Sequence, residues 1–171
     1  MNDHTQIQAQ IDRLHSECLS LMIASLDEHG HPQVSSAPYA LIDNHYYIFV
    51  SKLSAHTQHI QQHPHIGILI IEDETKTRNI YARARLSYQA QAAFIERDST
   101  LFATAFEILK QRAGNTLEVL VQLPDFSMVQ IKPLQGTLIL GFGKAYELDG
   151  QNPRQVIHVD ESKAQERQNK F

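Results

Sequence analysis

Apolar residues at Ile7, Ile11, Leu14 and Cys18 recur at helical spacing, which predicts an amphipathic helix over residues 5–17 with Cys18 on its buried side. The period then shortens. Residues 19–26 form an apolar run that predicts a buried strand, and Asp27-Glu28-His29-Gly30-His31 reads as a hairpin turn with Gly30 free to take a positive φ. Residues 33–40 return as a small-residue strand that Pro38 assigns to an edge or bulge. Asp43-Asn44 predicts a second tight turn before a strand over residues 45–50. Ser54 then caps a short helix that Pro64 ends. Residues 65–72 are apolar enough for a strand buried on both faces.

Residues 80–94 alternate strictly, with Tyr81, Arg83, Arg85, Ser87 and Gln89 on one face, so they predict a strand carrying two arginines side by side. Phe102, Phe106 and Leu109 mark the stripe of a helix over residues 101–112. Residues 126–132 and 136–148 predict the last strands, linked by Pro133-Leu134-Gln135, and residues 151–171 are mostly polar. Strands outnumber helices and the turns are short. The pattern predicts one α+β domain, mainly β, built on an antiparallel barrel that the helix after the third strand splits.

Composition narrows the class. A chain of 171 residues fits one domain and buries enough surface to need no staple. The single cysteine cannot form an internal bridge, and no apolar run approaches the ~20 residues of a membrane span, so a cytoplasmic protein is expected. A net charge of -4 gives no nucleic-acid footprint. Ten histidines, most of them between residues 29 and 65, raise the expectation of a metal or porphyrin partner.

Several motifs carry a family likeness. The stretch Ser54-Ala55-His56-Thr57-Gln58-His59-Ile60-Gln61-Gln62-His63-Pro64 keeps the frame of a flavin-binding Ser-x-Lys-x-x-Asn helix, with His56 at the lysine position and His59 at the asparagine position. Ile71-Glu72-Asp73-Glu74, the run from Tyr81 to Ser87, Leu123-Pro124-Asp125-Phe126 and the run from Gly141 to Tyr146 follow in order. In these features the chain resembles the HugZ/HutZ haem-utilisation branch of the pyridoxamine 5'-phosphate oxidase-like split barrels. That resemblance implies a homodimer with haem bound across the subunit contact, and haem degradation fed by a separate electron donor. It also implies an iron-ligating histidine in the C-terminal tail, supported by an aspartate of the other subunit. Asp125 stands at the aspartate position, while Lys163 occupies the ligand position, five residues after His158.

The substitution has a chemical consequence. A lysine ligates only as the neutral amine, and bringing its pKa from about 10.4 to neutrality costs roughly 4–5 kcal/mol before any bond forms. His158 is the substitute metal ligand, but five extended residues span up to ~17 Å, so it needs a different tail path. Arg85 and Arg83 are candidates for pairing with a haem propionate or a flavin phosphate, against ordinary ion pairs with the residues near Glu72. Ser54 offers a helix N-terminus for an anion, and His56 a pocket wall; His59 and His63 read as polar helix surface. Two alternatives to haem stand beside it. One is an FMN-dependent oxidoreductase with the phosphate near Ser54 and Arg85; the other is a cofactor-free dimer in which Asp125 and Lys163 form a salt bridge.

Overall fold

The computed structural model describes residues 3–150, 152 and 156–158, and in it the N-terminal helix is α1 (Asp3–Glu17). Its Ile7, Ile11 and Leu14 stripe lies in the barrel core, and that tertiary burial rather than propensity sustains a helix of this length. β1 (Ser20–Leu26) and β2 (Pro32–Pro38) form the expected hairpin, with Asp27 accepting from the amides of His29 and His31 and Gly30 at φ 80°. β3 (Ala40–Ile42) turns into β4 (His45–Ser51) through Asp43 and Asn44, both at positive φ. These are residue types that tolerate the left-handed region. α2 (Ala55–Gln62), β5 (His65–Ile71), β6 (Arg85–Ile95), α3 (Thr100–Ala113) and α4 (Thr116–Leu120) follow. The chain continues through β7 (Phe126–Ile139), β8 (Ala145–Asp149) and β9 (Val156–His158).

The strands pair antiparallel in the order β2-β1-β5-β6-β7-β4-β3, and β8 and β9 extend from β7. β7 is the spine: one edge holds β6 throughout, while the other holds β4 with its first half and β8 with its second. The sheet curls until β2 returns against β4. Leu21, Ile23, Ile48, Ile68, Leu86, Val129 and Leu138 fill the interior. α3 and α4 cover the outer side of β4, where Tyr47, Phe49, Phe102, Leu109 and Met128 make a second core.

Four expectations change. Pro133 does not end a strand. β7 runs through it with a bulge at Leu134, because the missing N–H falls where the edge passes from β4 to β8. The break comes instead between Ile139 and Ala145, where Gly141 and Gly143 take positive φ. β6 begins only at Arg85, since residues 80–82 form a 3-10 turn whose Tyr81 amide donates to the Asn79 side chain. β4, not β5, is the strand buried on both faces; β5 buries Ile66, Ile68 and Ile70 and leaves Gly67, Leu69 and Ile71 half-exposed. Among the described residues no helix is long and apolar enough to cross a membrane.

Candidate functional site

Two groups of candidate residues emerge at opposite ends of the β6–β7 ladder. At one end β4 runs into α2 beside the start of β7. There the Asp125 carboxylate accepts from Ser51 Oγ at 2.5 Å and its carbonyl accepts from the Lys52 amide at 2.7 Å. The same Ser51 hydroxyl accepts from the Leu53 amide, so Asp125 organises the turn that launches α2. This is a structural duty, and it leaves further carboxylate lone pairs for a ligand. Ser54 precedes α2 without a side-chain capping bond.

α2 lies across β1 and β2. His59 is buried, not surface, and its Nδ1 sits 3.0 Å from the buried Ser25 hydroxyl. His56 Nε2 is buried with no hydrogen-bond partner among the described residues. Burial, and then the neighbouring His59, push His56 below the usual imidazole range. A neutral ring with an unmet polar atom is poised to accept a partner. His63 is exposed, as expected.

The arginines stand at the other end. Arg83 precedes the strand, donates to the Glu72 carbonyl and pairs with Glu74 at 3.0 Å, so its guanidinium is engaged within the chain. Arg85 donates once, to the Arg83 carbonyl at 3.0 Å, and has no carboxylate partner among the described residues. Its neighbours on the outer face are Ser87 and Gln89, because Leu86, Tyr88 and Ala90 point inward. Arg85 pairs with Ile139, whereas Ile95 pairs with Met128 beside Asp125. About ten residues of strand, roughly 30 Å at ~3.3 Å each, separate the two groups. Ser54 lies at the Asp125 end, so one chain does not bring Ser54 and Arg85 together.

Between Arg85 and the β1–β2 edge, the outer face holds an open groove of about 550 Å³ floored by Met22, Ala24, Val34, Gly67 and Leu69 and flanked by Gln89, Gln135 and Thr137. Val34 is 73% exposed and Met22 42%. A mostly apolar floor with a few polar groups suits a flat ring, and Arg85, without a carboxylate partner among the described residues, follows Ser87 of that lining on the same strand face. His158 does not share this face. It pairs with Tyr146, packs on that ring at 5.2 Å, and its Nε2 lies 3.1 Å from the Gly143 carbonyl. Since cross-strand partners point to the same side, His158 lies on the inward row, opposite Arg85. Among the described residues no three histidine, cysteine, aspartate or glutamate side chains group to hold a metal. Lys163 lies outside the described residues.

The groove carries a sequence signal in the apolar outer positions of β1 and β5, which equally fit a buried strand at β1 and burial on both faces at β5. The Ser25–His59 bond had none, since 34 residues separate its partners.

A curled antiparallel sheet split by a helix, with an uncovered outer face, defines the split-barrel class, and the chain belongs to the pyridoxamine 5'-phosphate oxidase family, whose model matches residues 7–139. Within that class it is similar to the heme oxygenase HutZ of Vibrio cholerae, at 32% identity over 91% of this chain and 89% of that protein. The crystal structure of HutZ from Vibrio cholerae, described there as a heme storage protein, covers 78% of this chain and 94% of its own at a TM-score of 0.73. ChuZ of Campylobacter jejuni aligns over 95% of this chain at 26% identity and a TM-score of 0.83, and the chain spans 65% of its length.

Proposed function

We propose that this chain works as a homodimer that binds haem for iron utilisation, with each ligand shared between the Arg85 end of one copy and the Asp125 end of the other. The observation that carries the reading is Arg85, a half-buried cation with no carboxylate among the described residues, two residues along the outer face of β6 from Ser87, which lines the apolar groove. A propionate supplies what that guanidinium lacks. The similarity to a heme oxygenase over nine-tenths of the chain supports the choice of haem. The exposed outer positions of β1 and β2, Met22 and Val34, support the pairing of two copies, because a contiguous apolar face of this kind is costly in water.

Bound haem would supply redox-active iron and a porphyrin edge open to oxidation. Arg85 would hold the propionates, His56 would line the pocket with a neutral ring, and Asp125 would face the partner's iron side as an acceptor. With Lys163 at the family's ligand position, the axial ligand is assigned to no residue, and His158 points away from the groove.

Titration with hemin tests the proposal. A Soret shift that saturates at one haem per chain is expected, and Arg85→Ala should weaken binding about 10- to 100-fold, the worth of one charge-assisted hydrogen bond. No Soret shift would end the haem reading. A yellow protein with flavin absorbance would replace it with FMN, the second reading. A colourless dimer that binds neither would leave the cofactor-free reading. Sedimentation of Val34→Glu should show monomers where the parent shows dimers.

A further inference from the structure

We propose that Tyr88, Tyr46 and Tyr39 form a buried electron relay in which Tyr46 gives up one electron while its phenolic proton passes to His15 Nε2. The rings are spaced for it: Tyr46 lies 6.2 Å from Tyr88 and 5.4 Å from Tyr39, centroid to centroid. All three side chains are at most 5% exposed, so a radical formed among them is shielded from solvent.

Among the described residues, only Tyr46 of the three has a base. Its hydroxyl stands 2.8 Å from His15 Nε2, and burial raises the phenol's pKa so that it keeps its proton in the resting state. Burial also lowers His15 to about 4, so the imidazole is neutral at neutral pH, and in the tautomer with its proton on Nδ1 the Nε2 lone pair faces the Tyr46 hydroxyl. Tyr39 instead donates to the His15 backbone carbonyl at 3.3 Å, which takes up no proton. The Arg112 guanidinium 4.8 Å above its ring further opposes positive charge there. Electron loss therefore settles at Tyr46.

The balance closes locally. The oxidant gains one electron, the Tyr46 O–H bond breaks, and an N–H bond forms at His15, leaving a neutral phenoxyl radical beside an imidazolium. Asp12 favours that imidazolium and Arg112 opposes it. A cavity of about 60 Å³ lined by Gln8, Asp12, His15, Asn44 and Tyr46 adjoins the pair, room for about two waters to carry the proton on. Tyr88 lines both this cavity and the outer groove, which makes it the entry point. The source of oxidant in the cell rests on the haem reading: a peroxide-oxidised metalloporphyrin in the groove would be reduced by one electron as Tyr46 is oxidised. The relay would then drain oxidising equivalents from the ligand.

The experiment needs no haem, so its failure leaves the haem reading intact. Photogenerated tris(bipyridine)ruthenium(III) oxidises the protein in a Tyr81→Phe background, since Tyr81 is 81% exposed and would react first. Paramagnetic resonance should show one long-lived neutral tyrosyl radical, lost in Tyr46→Phe and slower to form in Tyr88→Phe. His15→Gln should slow its formation about 100-fold, the contribution of a positioned base. A radical that persists unchanged in Tyr46→Phe, or a rate indifferent to His15→Gln, overturns the relay. Should Tyr46→Phe misfold, a fluorinated tyrosine placed at position 46 must alter the hyperfine pattern; an unaltered pattern overturns it as well.

Discussion

Acidification should destabilise this protein through His15, and the size of the effect follows from its surroundings. The ring is largely enclosed by α1, Tyr39 and Tyr46, with edge and tilted ring contacts at 6.4 and 5.6 Å. Burial lowers its pKa from the ordinary 6.5 to about 4, with Asp12 pulling it up and Arg112 pushing it down. In the unfolded chain the ring takes its proton near pH 6.5, whereas the native protein refuses it until about pH 4. The unfolded state thus binds more protons in that window, so native stability falls as the pH drops through it and levels off below. At about 1.4 kcal/mol per pH unit the whole window is worth about 3 kcal/mol. Urea unfolding of the parent and of His15→Gln at pH 7, 6, 5 and 4 measures it. The variant pays a constant offset for its altered bond to Tyr46 but should lose about 3 kcal/mol less on acidification, a difference of roughly 1–2 M in midpoint. His56 is lowered in the same direction and contributes equally to both proteins. Curves that fall in parallel would refute the assignment.

Arg112→Met should cost about 3 kcal/mol and lower the melting temperature by roughly 6–12 °C, because Arg112 donates to the carbonyls of Tyr39, His15 and Cys18 at 2.9, 2.9 and 3.1 Å. Arg112→Lys should not restore it, since one ammonium cannot reproduce a planar fork bonded to three carbonyls; calorimetry decides. Gly136→Ala should destabilise by about 1–3 kcal/mol, as its Cβ would run into the Tyr88 ring and the Ser87 carbonyl. In a Tyr88→Leu background most of that penalty should vanish in a double-mutant cycle.

The barrel was legible because its information is local. Alternation in β6, the apolar run of β1, the Asp43-Asn44 turn and the α1 stripe each state a period, a burial or a backbone conformation within a few residues. Where the reading slipped, a distant partner decides. Pro133 looks like a break until β7 is seen exchanging β4 for β8 at that point. The two-arginine face assumed a strand from residue 80, but Asn79 caps a 3-10 turn and leaves Arg83 outside the sheet, tied to Glu72 and Glu74. The five residues of α4 are too few to show a helical period. The candidate site was legible as residue types but not as positions: Asp125 and Arg85 were both named, and only the β6–β7 register reveals that a strand's length lies between them. His15 and Arg112, which hold α1 to the barrel, gave no local signal at all.

That separation bears directly on how such a site works. The two groups lie at opposite ends of one ladder, and roughly 30 Å exceeds the reach of any single porphyrin or flavin ring between an arginine and a carboxylate. On the proposed reading, a ligand that touches both must touch two chains, so affinity and assembly are linked: whatever binds the assembled form stabilises it by mass action. The outer positions of β1, β2 and β5 then acquire a reason. Met22, Val34 and Leu69 are apolar on a face that one chain leaves open, and burying them builds the same groove that receives the ring. A variant that keeps Arg85 and Asp125 but separates the copies should therefore lose haem affinity without losing either contact residue. Val34→Glu examined at rising protein concentration makes the link measurable, since hemin affinity should recover in step with the dimer fraction.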